Sequence, residues 1–198
     1  AEFERLLPLY ANPGGLHREA VEAKQELERA RKTIADSIGA HADEIVFTAS
    51  GTEANNLAIQ GLLRPLLLKH GELQAITSAI EHKSVLQPLA ILDREGLYTS
   101  ELPVSSEGLV APGQLAEVVS DETVLVSIQL VNSEVGTILP VRELAKVIRH
   151  ARQGRTGPTA LPLYFHVDAA QAPLWMDIKV EKLGADLMTL DAQKKLGP

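Results

Sequence analysis

The chain has no cysteine among its 198 residues. A disulfide framework, a thiolate zinc site, an iron–sulfur cluster and a cysteine nucleophile are therefore excluded within this chain. We accordingly predict no metal site. The absence also limits the chemistry, because any step that needs a thiol must take that thiol from outside these residues.

Aromatic residues and long apolar runs are also scarce. Aromatics make up 4% of the chain and all hydrophobic residues together 45%, so we expect one domain with an aliphatic core. No apolar run approaches the roughly 20 residues that a membrane span requires, and the opening AEFERLLPLY lacks the layout of a signal peptide. We therefore expect a soluble, cytoplasmic protein without a membrane partner.

Positive charge is in the minority. Lysine and arginine number 19 against 26 aspartates and glutamates, which gives a formal net charge of −7. Such a chain is repelled by nucleic acid and by anionic membrane surfaces, so we expect no nucleic-acid partner. Any anion that the protein binds must find a local site.

Hydrophobic patterns alternate between the periods of strands and helices. Near-continuous apolar runs predict buried strands, and segments with apolar residues every three or four positions predict helices. The alternation favours an α/β fold with a mostly parallel sheet flanked by helices, whose ligands lie beyond the carboxyl ends of the strands. The predicted strands are 44–49, 73–79, 123–131, 161–170 and 185–192, and the predicted helices are 16–38, 52–69, 82–94 and 141–152.

A first candidate site lies in VFTASGTEANN, where a predicted strand gives way to a helix at Gly51 and Thr52. The free N–H groups and positive dipole of a helix start suit a phosphate, and glycine allows a close approach to the backbone. An ordinary capped helix, with Ser50 or Thr52 as the cap, explains the same residues.

Two further candidates follow predicted strands. In FHVDAAQA, Asp168 ends a strand and Gln171 follows it, and a carboxylate in such a crevice favours a cationic partner such as a protonated ring nitrogen. A structural aspartate that caps the next turn is the alternative. In IEHKSV, His82 lies at a strand-to-helix junction, and a histidine in such a place is more often a helix cap or a surface residue than a catalytic group.

The chain closes on DLMTLDAQKKLGP, which delivers Lys194 and Lys195 to the end of a predicted strand. A lysine that is partly removed from water is more often a neutral amine, which can form a Schiff base with an aldehyde. Two solvated lysines beyond a strand are the alternative. Together, a phosphate cradle, a histidine, an acid for a pyridine nitrogen and an amine form the set of groups that pyridoxal phosphate requires.

The sequence resembles the class V aminotransferases of fold type I, and within them the cysteine desulfurase and selenocysteine lyase branch. Six ordered blocks carry the resemblance: ANPGGLHREA, ADEIVFTASGTEANNLAIQG, ITSAIEHKSVL, TVLVSIQLVNSEVGTILPV, FHVDAAQAP and ADLMTLDAQKKLGP. It implies the large domain of a pyridoxal-phosphate-dependent transferase, spanning residues 1–198, without the N-terminal edge and the small C-terminal domain. It also implies a homodimer.

The resemblance implies a role for each candidate. Gly51 and Thr52 would hold the cofactor phosphate, while His82 would stack on the ring and move protons. Asp168 would pair with the ring nitrogen and Gln171 with the ring oxygen, and Lys194 would bind the cofactor aldehyde beside an ordinary neighbour, Lys195. The expected catalytic residues are Lys194 and His82.

The chain departs from the family pattern at three of the expected cofactor-binding positions. Ser133 stands where the family usually has asparagine, although Asn132 is adjacent. Asp191 and Gln193 stand where serine and histidine commonly contact the phosphate. Gln193 can still donate a hydrogen bond, whereas the Asp191 carboxylate would repel a phosphate unless it turns away, is protonated or is offset by a cation.

The resemblance therefore implies a pyridoxal-phosphate-binding domain of a cysteine desulfurase-like enzyme that converts L-cysteine to L-alanine and passes sulfur to an acceptor protein. The nucleophilic cysteine of that reaction is not in this chain, so we expect the chain alone to be inactive in desulfuration. Two alternatives stay open. One is another class V aminotransferase or lyase activity, and the other is a degenerate interaction domain without catalysis.

Overall fold

The protein is described by a computed structural model over residues 2–195, so the last three residues of the block ADLMTLDAQKKLGP lie outside the described residues. The chain divides into two compact units between Val46 and Phe47. The expectation of a single cofactor-binding domain over 1–198 stays a prediction.

The first unit is helical. It contains α1, α2 and a short 3-10 turn, at Glu2–Leu6, Arg18–Ile38 and Ala42–Glu44. The predicted amphipathic helix is confirmed as α2, whose exposed side is supported by ion pairs at helical spacing, such as Lys32 with Asp36 at 3.0 Å. The helix ends because Gly39 adopts φ 71°, a left-handed conformation that glycine accepts without strain.

The second unit alternates helices and strands. In chain order these are α3 Gly51–His70, β1 Leu73–Ser78, α4 Lys83–Asp93, β2 Leu97–Leu102, α5 Pro112–Val118, β3 Thr123–Gln129, α6 Val141–Gly154, β4 Tyr164–Asp168, α7 Val180–Leu183 and β5 Leu187–Thr189. A 3-10 turn at Gln193–Lys195 follows.

The strands form one five-stranded sheet in the order β2-β1-β3-β4-β5, and every neighbouring pair is parallel. Every residue of β1 and of β3 is buried, which explains their near-continuous apolar sequences. The predicted α/β fold is therefore confirmed.

The strand order contains a topological switch between β1 and β3. The chain leaves β1 towards β2 on one side and leaves β3 towards β4 on the other. Since crossovers between parallel strands are right-handed, α4 and α6 leave on opposite faces and open a crevice at the carboxyl ends of the two strands. The topology thus provides a place for a ligand before any side chain is considered.

The structure differs from the sequence prediction at two strands. Residues 45–48 form no strand although Ile45, Val46 and Phe47 favour one, because a strand needs a pairing partner and this segment joins no sheet. Conversely, β2 was not predicted. Its sequence LYTSEL mixes polar and apolar residues because β2 is an edge strand, with Tyr98 67% exposed.

The core is aliphatic, as the composition predicts. Ile59 and Leu63 of α3 and Val85 and Leu89 of α4 pack against buried strand residues such as Leu125. Each fully buried aliphatic side chain contributes roughly 1.5–3 kcal/mol relative to exposure. Within the described residues, no helix combines the length and the apolar character that a bilayer crossing demands.

Leu63→Ala tests the packing of α3. We expect it to lower the free energy of unfolding by about 2–5 kcal/mol, because Leu63 is 0% exposed and its removal leaves a cavity. Leu68→Ala in the same helix is the matched control: Leu68 is 90% exposed, so its loss should cost about 0.5 kcal/mol or less. Urea denaturation measures both, and equal losses would contradict the described packing.

Candidate active site

A pocket opens at the carboxyl edge of the parallel sheet. It encloses about 400 Å³ of empty space, part of it open to solvent. Every predicted site residue except Gln193 lines it, together with residues that the sequence did not single out. The lining is Gly51, Thr52, Asn55, His82, Ser84, Gln129, Val131, Ser133, Asp168, Ala170, Gln171, Asp191 and Lys194.

One wall of the pocket is the first turn of α3. Ser50 caps this helix by accepting a hydrogen bond from Glu53 N at 3.1 Å, and Glu53 Oε2 accepts one from Ala49 N at 2.5 Å. No hydrogen bond of the described residues uses the N–H of Gly51 or Thr52. These two donors and the positive end of a 20-residue helix suit an anion such as a phosphate.

The Asp168 carboxylate is a buried polar group in the lining of the pocket. It ends β4, is 7% exposed, and accepts hydrogen bonds from Asn55 Nδ2 at 2.8 Å and from Ala170 N at 3.0 Å. Asp168 takes part in no ion pair within the described part of the chain. A buried carboxylate without a cation is costly, so the site favours a cationic ligand group beside it.

A chain of hydrogen bonds joins this acid to His82. Asn55 Nδ2 also donates to Ser84 Oγ at 2.8 Å, and Ser84 Oγ lies 2.7 Å from His82 Nδ1. Since Asn55 Nδ2 can only donate, the Ser84 hydroxyl proton is free to point at Nδ1, which also accepts from Ser84 N at 3.2 Å. This pattern assigns the proton of the neutral imidazole to Nε2.

A second buried carboxyl group adjoins His82 in the sequence. Glu81 is 6% exposed and its Oε1 accepts a hydrogen bond from Ser78 Oγ at 2.5 Å. Burial raises the pKa of Glu81 to about 8, and the nearby Asp168 carboxylate acts in the same direction. Glu81 is therefore mostly protonated at neutral pH, which leaves Asp168 as the buried negative charge.

Lys194 enters the pocket from the 3-10 turn that follows β5. Its Nζ lies 4.0 Å from Asp191 Oδ2, and 39% of its side chain is exposed. The adjacent Gln193 is exposed and donates its backbone N–H to Asp191 Oδ1 at 3.0 Å. The predicted contact of the Gln193 side chain with a phosphate stays a prediction, since that side chain is not among the pocket-lining groups.

Asn132, the suggested substitute for the family asparagine at position 133, has another task. Its Oδ1 accepts from Glu134 N and Val135 N, and its Nδ2 donates to Ile80 O. Because the amide is taken up by backbone groups, Asn132 shapes the turn after β3. Ser133 itself lines the pocket.

Sequence reasoning missed five pocket-lining residues: Asn55, Ser84, Gln129, Val131 and Ala170. Asn55 and Ser84 belong to the hydrogen-bond chain between Asp168 and His82. Asn55 lies one helical turn after Thr52 in GTEANN, and Ser84 follows His82 by two positions, so both were inside quoted motifs. The signal that would have identified Asn55 is its helical spacing from Thr52, which puts the two residues on the same side of α3. Its Oδ1 is buried without a hydrogen-bond partner among the described residues, which is consistent with a polar ligand.

The fold and the pocket define a class of protein, and comparison with known proteins identifies the family. The parallel sheet presents a helix-start anion cradle, a buried acid and a lysine at one edge, as in pyridoxal-phosphate-dependent enzymes. The model of the family "Aminotransferase class-V" matches residues 3–198. The chain therefore belongs to the class-V aminotransferase family, whose cofactor is pyridoxal phosphate.

Curated relatives narrow the resemblance to cysteine desulfurases. The chain is 39% identical over 189 residues to cysteine desulfurase IscS of Dictyoglomus turgidum, covering 96% of this chain and 45% of that protein. It is 39% identical over 191 residues to the mitochondrial cysteine desulfurase of Candida albicans, covering 96% of this chain and 37% of that protein.

Solved structures agree with these relatives. A NifS-like protein superposes with a TM-score of 0.90 at 31% identity, covering 99% of this chain and 51% of that chain. SspA in complex with cysteine superposes with a TM-score of 0.89 at 35% identity, covering 99% and 54%. The predicted cysteine desulfurase branch is confirmed, although the chain spans about half the length or less of the first two curated relatives.

Asn55→Ala tests the hydrogen-bond chain between Asp168 and His82. We expect a loss of about 1–3 kcal/mol in the free energy of unfolding, because the Asp168 carboxylate loses a buried donor. Asn56→Ala is the matched control, because the Asn56 side chain is only half-buried and bonds Thr52 O and Gln60 Nε2, neither of which belongs to the hydrogen-bond chain. It should cost about 1 kcal/mol or less. Urea denaturation curves give the free energy of unfolding of both variants. Equal losses in the two variants would contradict the hydrogen-bond chain.

Glu81→Gln tests the buried carboxyl group through pH. With its pKa raised from 4.5 to about 8, Glu81 stabilises the fold fully below pH 4.5, and this contribution is lost as the pH rises to about 8. The free energy of unfolding of the wild type should therefore fall between pH 6.5 and about 8, and that of Glu81→Gln should fall much less.

The comparison starts at pH 6.5 because His166 also changes the stability of the fold below that pH. Burial lowers the pKa of His166 from 6.5 to about 4, so its protonation in the unfolded chain removes stability as the pH falls through that window. Between about pH 4.5 and 6.5, Glu81 and His166 change the free energy of unfolding in opposite directions as the pH rises. Of these two groups, only Glu81 changes it above pH 6.5. A wild type and variant with parallel profiles above pH 6.5 would contradict the assignment to Glu81.

Proposed function

We propose that this chain binds pyridoxal phosphate and forms the cofactor-binding part of an enzyme that removes sulfur from L-cysteine. One observation carries the proposal: the amine of Lys194 and the buried Asp168 carboxylate, which has no cationic partner in the described chain, line one pocket beside the open start of α3. The cysteine desulfurase relatives support L-cysteine as the substrate class.

The residues present fit the cofactor at several independent points. The N–H groups of Gly51 and Thr52 would hold the phosphate, the Asp168 carboxylate would hold a protonated ring nitrogen, and Gln171 would face the ring oxygen. Asn55 lines the pocket, and its buried Oδ1 has no hydrogen-bond partner among the described residues, so it is a further acceptor available to a ligand. Among the described pocket-lining residues, Asp191 does not fit a phosphate, since it adds negative charge to the cradle.

Each residue has a defined task in the proposed reaction. The cofactor, when bound, supplies an electron sink that weakens the bonds at Cα and Cβ of the amino acid. Asp168 would maintain the positive charge of the ring nitrogen, and Asn55 fixes the orientation of that carboxylate through its 2.8 Å hydrogen bond. Lys194 Nζ would bind the cofactor aldehyde and carry a proton once released, and His82 would be the second residue that moves protons.

The sulfur step needs a group that this chain lacks. Transfer of the cysteine sulfur to a thiol breaks the Cβ–Sγ bond, forms a persulfide on the thiol and leaves L-alanine, so that the atoms balance. Since none of the 198 residues is cysteine, the accepting thiol must belong to another segment or another protein. We therefore propose that cofactor binding is separable from desulfuration here.

A non-catalytic binding module is the second candidate function. The position of Asp191 favours it, because a carboxylate lies against the first turn of α3 where a phosphate would bind. In that case the pocket would no longer accept the cofactor. We further propose that the protein forms a homodimer, passes sulfur to an acceptor protein and is cytoplasmic. These three proposals rest on the sequence and on the family resemblance.

Mixing with pyridoxal phosphate tests the proposal. We expect an absorbance band in the visible or near-ultraviolet range and, after borohydride reduction, a stable mass increase on the peptide that contains Lys194. Lys194→Ala should abolish the band and the label, because it removes the amine that binds the aldehyde. Lys182→Ala, an exposed lysine on α7, should retain both and serves as the control.

Mass spectrometry of the reduced protein locates the label. Absence of a band together with an unchanged melting temperature would favour the non-catalytic module over the enzyme. Labelling that persists in Lys194→Ala would count against Lys194 as the cofactor-binding amine.

A further inference from the structure

The Asp191 carboxylate lies directly over the first turn of α3. A Cβ atom built on Gly51 would lie 3.4 Å from Asp191 Oδ2 and 3.5 Å from Asp191 Cβ, so the carboxylate side chain packs against the bare glycine. Only 17% of the Asp191 side chain is exposed. An internal anion is thus positioned at the helix start, where a phosphate would need the N–H groups of Gly51 and Thr52.

The charge of Asp191 is offset by one described cation. Lys194 Nζ at 4.0 Å is the basic group paired with it in the described part of the chain, and the Gln193 N–H satisfies the other carboxylate oxygen. The same amine must be uncharged to bind an aldehyde. Lys194 therefore would not offset the Asp191 charge and attack an aldehyde at the same time.

We propose that Asp191 is a specificity-determining residue that makes this pocket discriminate against the phosphate group of its cofactor. The inference rests on the proposed function, since it concerns the same pocket. The pocket binds pyridoxal phosphate less tightly than its other contacts allow, and the penalty falls on the phosphate. The ring and the aldehyde are recognised elsewhere, at Asp168 and Lys194.

The physical argument is the repulsion of two anions at one helix start. A helix terminus carries the equivalent of about half an elementary charge, which does not offset both a carboxylate and a phosphate dianion. The repulsion is only partly screened, because the Asp191 side chain is mostly buried. Asp191→Asn removes the charge and keeps an oxygen that accepts from Gln193 N, so the turn should remain intact.

The ratio of two affinities isolates this effect. Removing the charge of Asp191 also changes the surroundings of the Lys194 amine, which alters the binding of every aldehyde. Pyridoxal has the same ring and aldehyde without the phosphate, so the ratio of pyridoxal to pyridoxal phosphate dissociation constants reports on the phosphate alone. We expect Asp191→Asn to raise this ratio by about tenfold, which corresponds to 1.4 kcal/mol.

The experiment compares the wild type with Asp191→Asn, with Asp191→Ser as a second, smaller neutral replacement. Asp177→Asn is the matched control, because it makes the same change at a carboxylate whose side chain is 69% exposed and which does not line the pocket. Absorbance titrations give the dissociation constants of both aldehydes. The melting temperature in inorganic phosphate gives a second readout that involves no aldehyde.

The inference is supported if both Asp191 variants raise the ratio and increase the stabilisation by inorganic phosphate, while Asp177→Asn changes neither. A wild type that binds both aldehydes, with a ratio that stays within twofold in both Asp191 variants, overturns the inference and leaves the proposed function intact. A wild type and variants that all fail to bind either aldehyde overturn both.

Discussion

The hydrogen bond between Asn55 and the Asp168 carboxylate is the interaction on which the rest of the pocket depends. Asp168 belongs to β4 and Asn55 to α3, so a single 2.8 Å contact joins the sheet edge to the helix whose first turn forms the anion cradle. The amide also reaches Ser84, and through it His82. A buried carboxylate of this kind must be held by fixed donors, because water does not solvate it.

Two carboxylates, Asp168 and Asp191, line different parts of the pocket and have opposite effects on the family cofactor. Burial keeps Glu81 protonated near neutral pH, so the interior of the pocket holds one negative charge at Asp168. Asp191 adds a second at the rim, paired with Lys194. The interior charge suits the cationic ring of the family cofactor, whereas the rim charge opposes its phosphate. The same pocket is therefore complementary to one end of the ligand and repulsive to the other.

Much of the fold followed from local patterns. Strands β1 and β3 were predicted because their sequences are almost continuously apolar, as expected of strands buried on both faces. Helix α2 was predicted because its apolar residues recur every three or four positions. The strand expected at 44–49 failed because Ile45, Val46 and Phe47 have strand propensity but no neighbour to pair with. Edge strand β2 was not predicted because its sequence mixes polar and apolar residues. It forms nevertheless, because it pairs with β1.

The sequence by itself determined the chemical types available: no thiol, a lysine after the last strand, an acid after β4 and a glycine at the start of α3. It also determined that the lysine and the acid follow strands, and parallel strands bring such groups to one edge. Only the tertiary structure decided that Asn55 links Asp168 to His82 and that Asp191 lies against Gly51. Those outcomes depend on distances between segments far apart in the chain, which no local pattern of residues encodes.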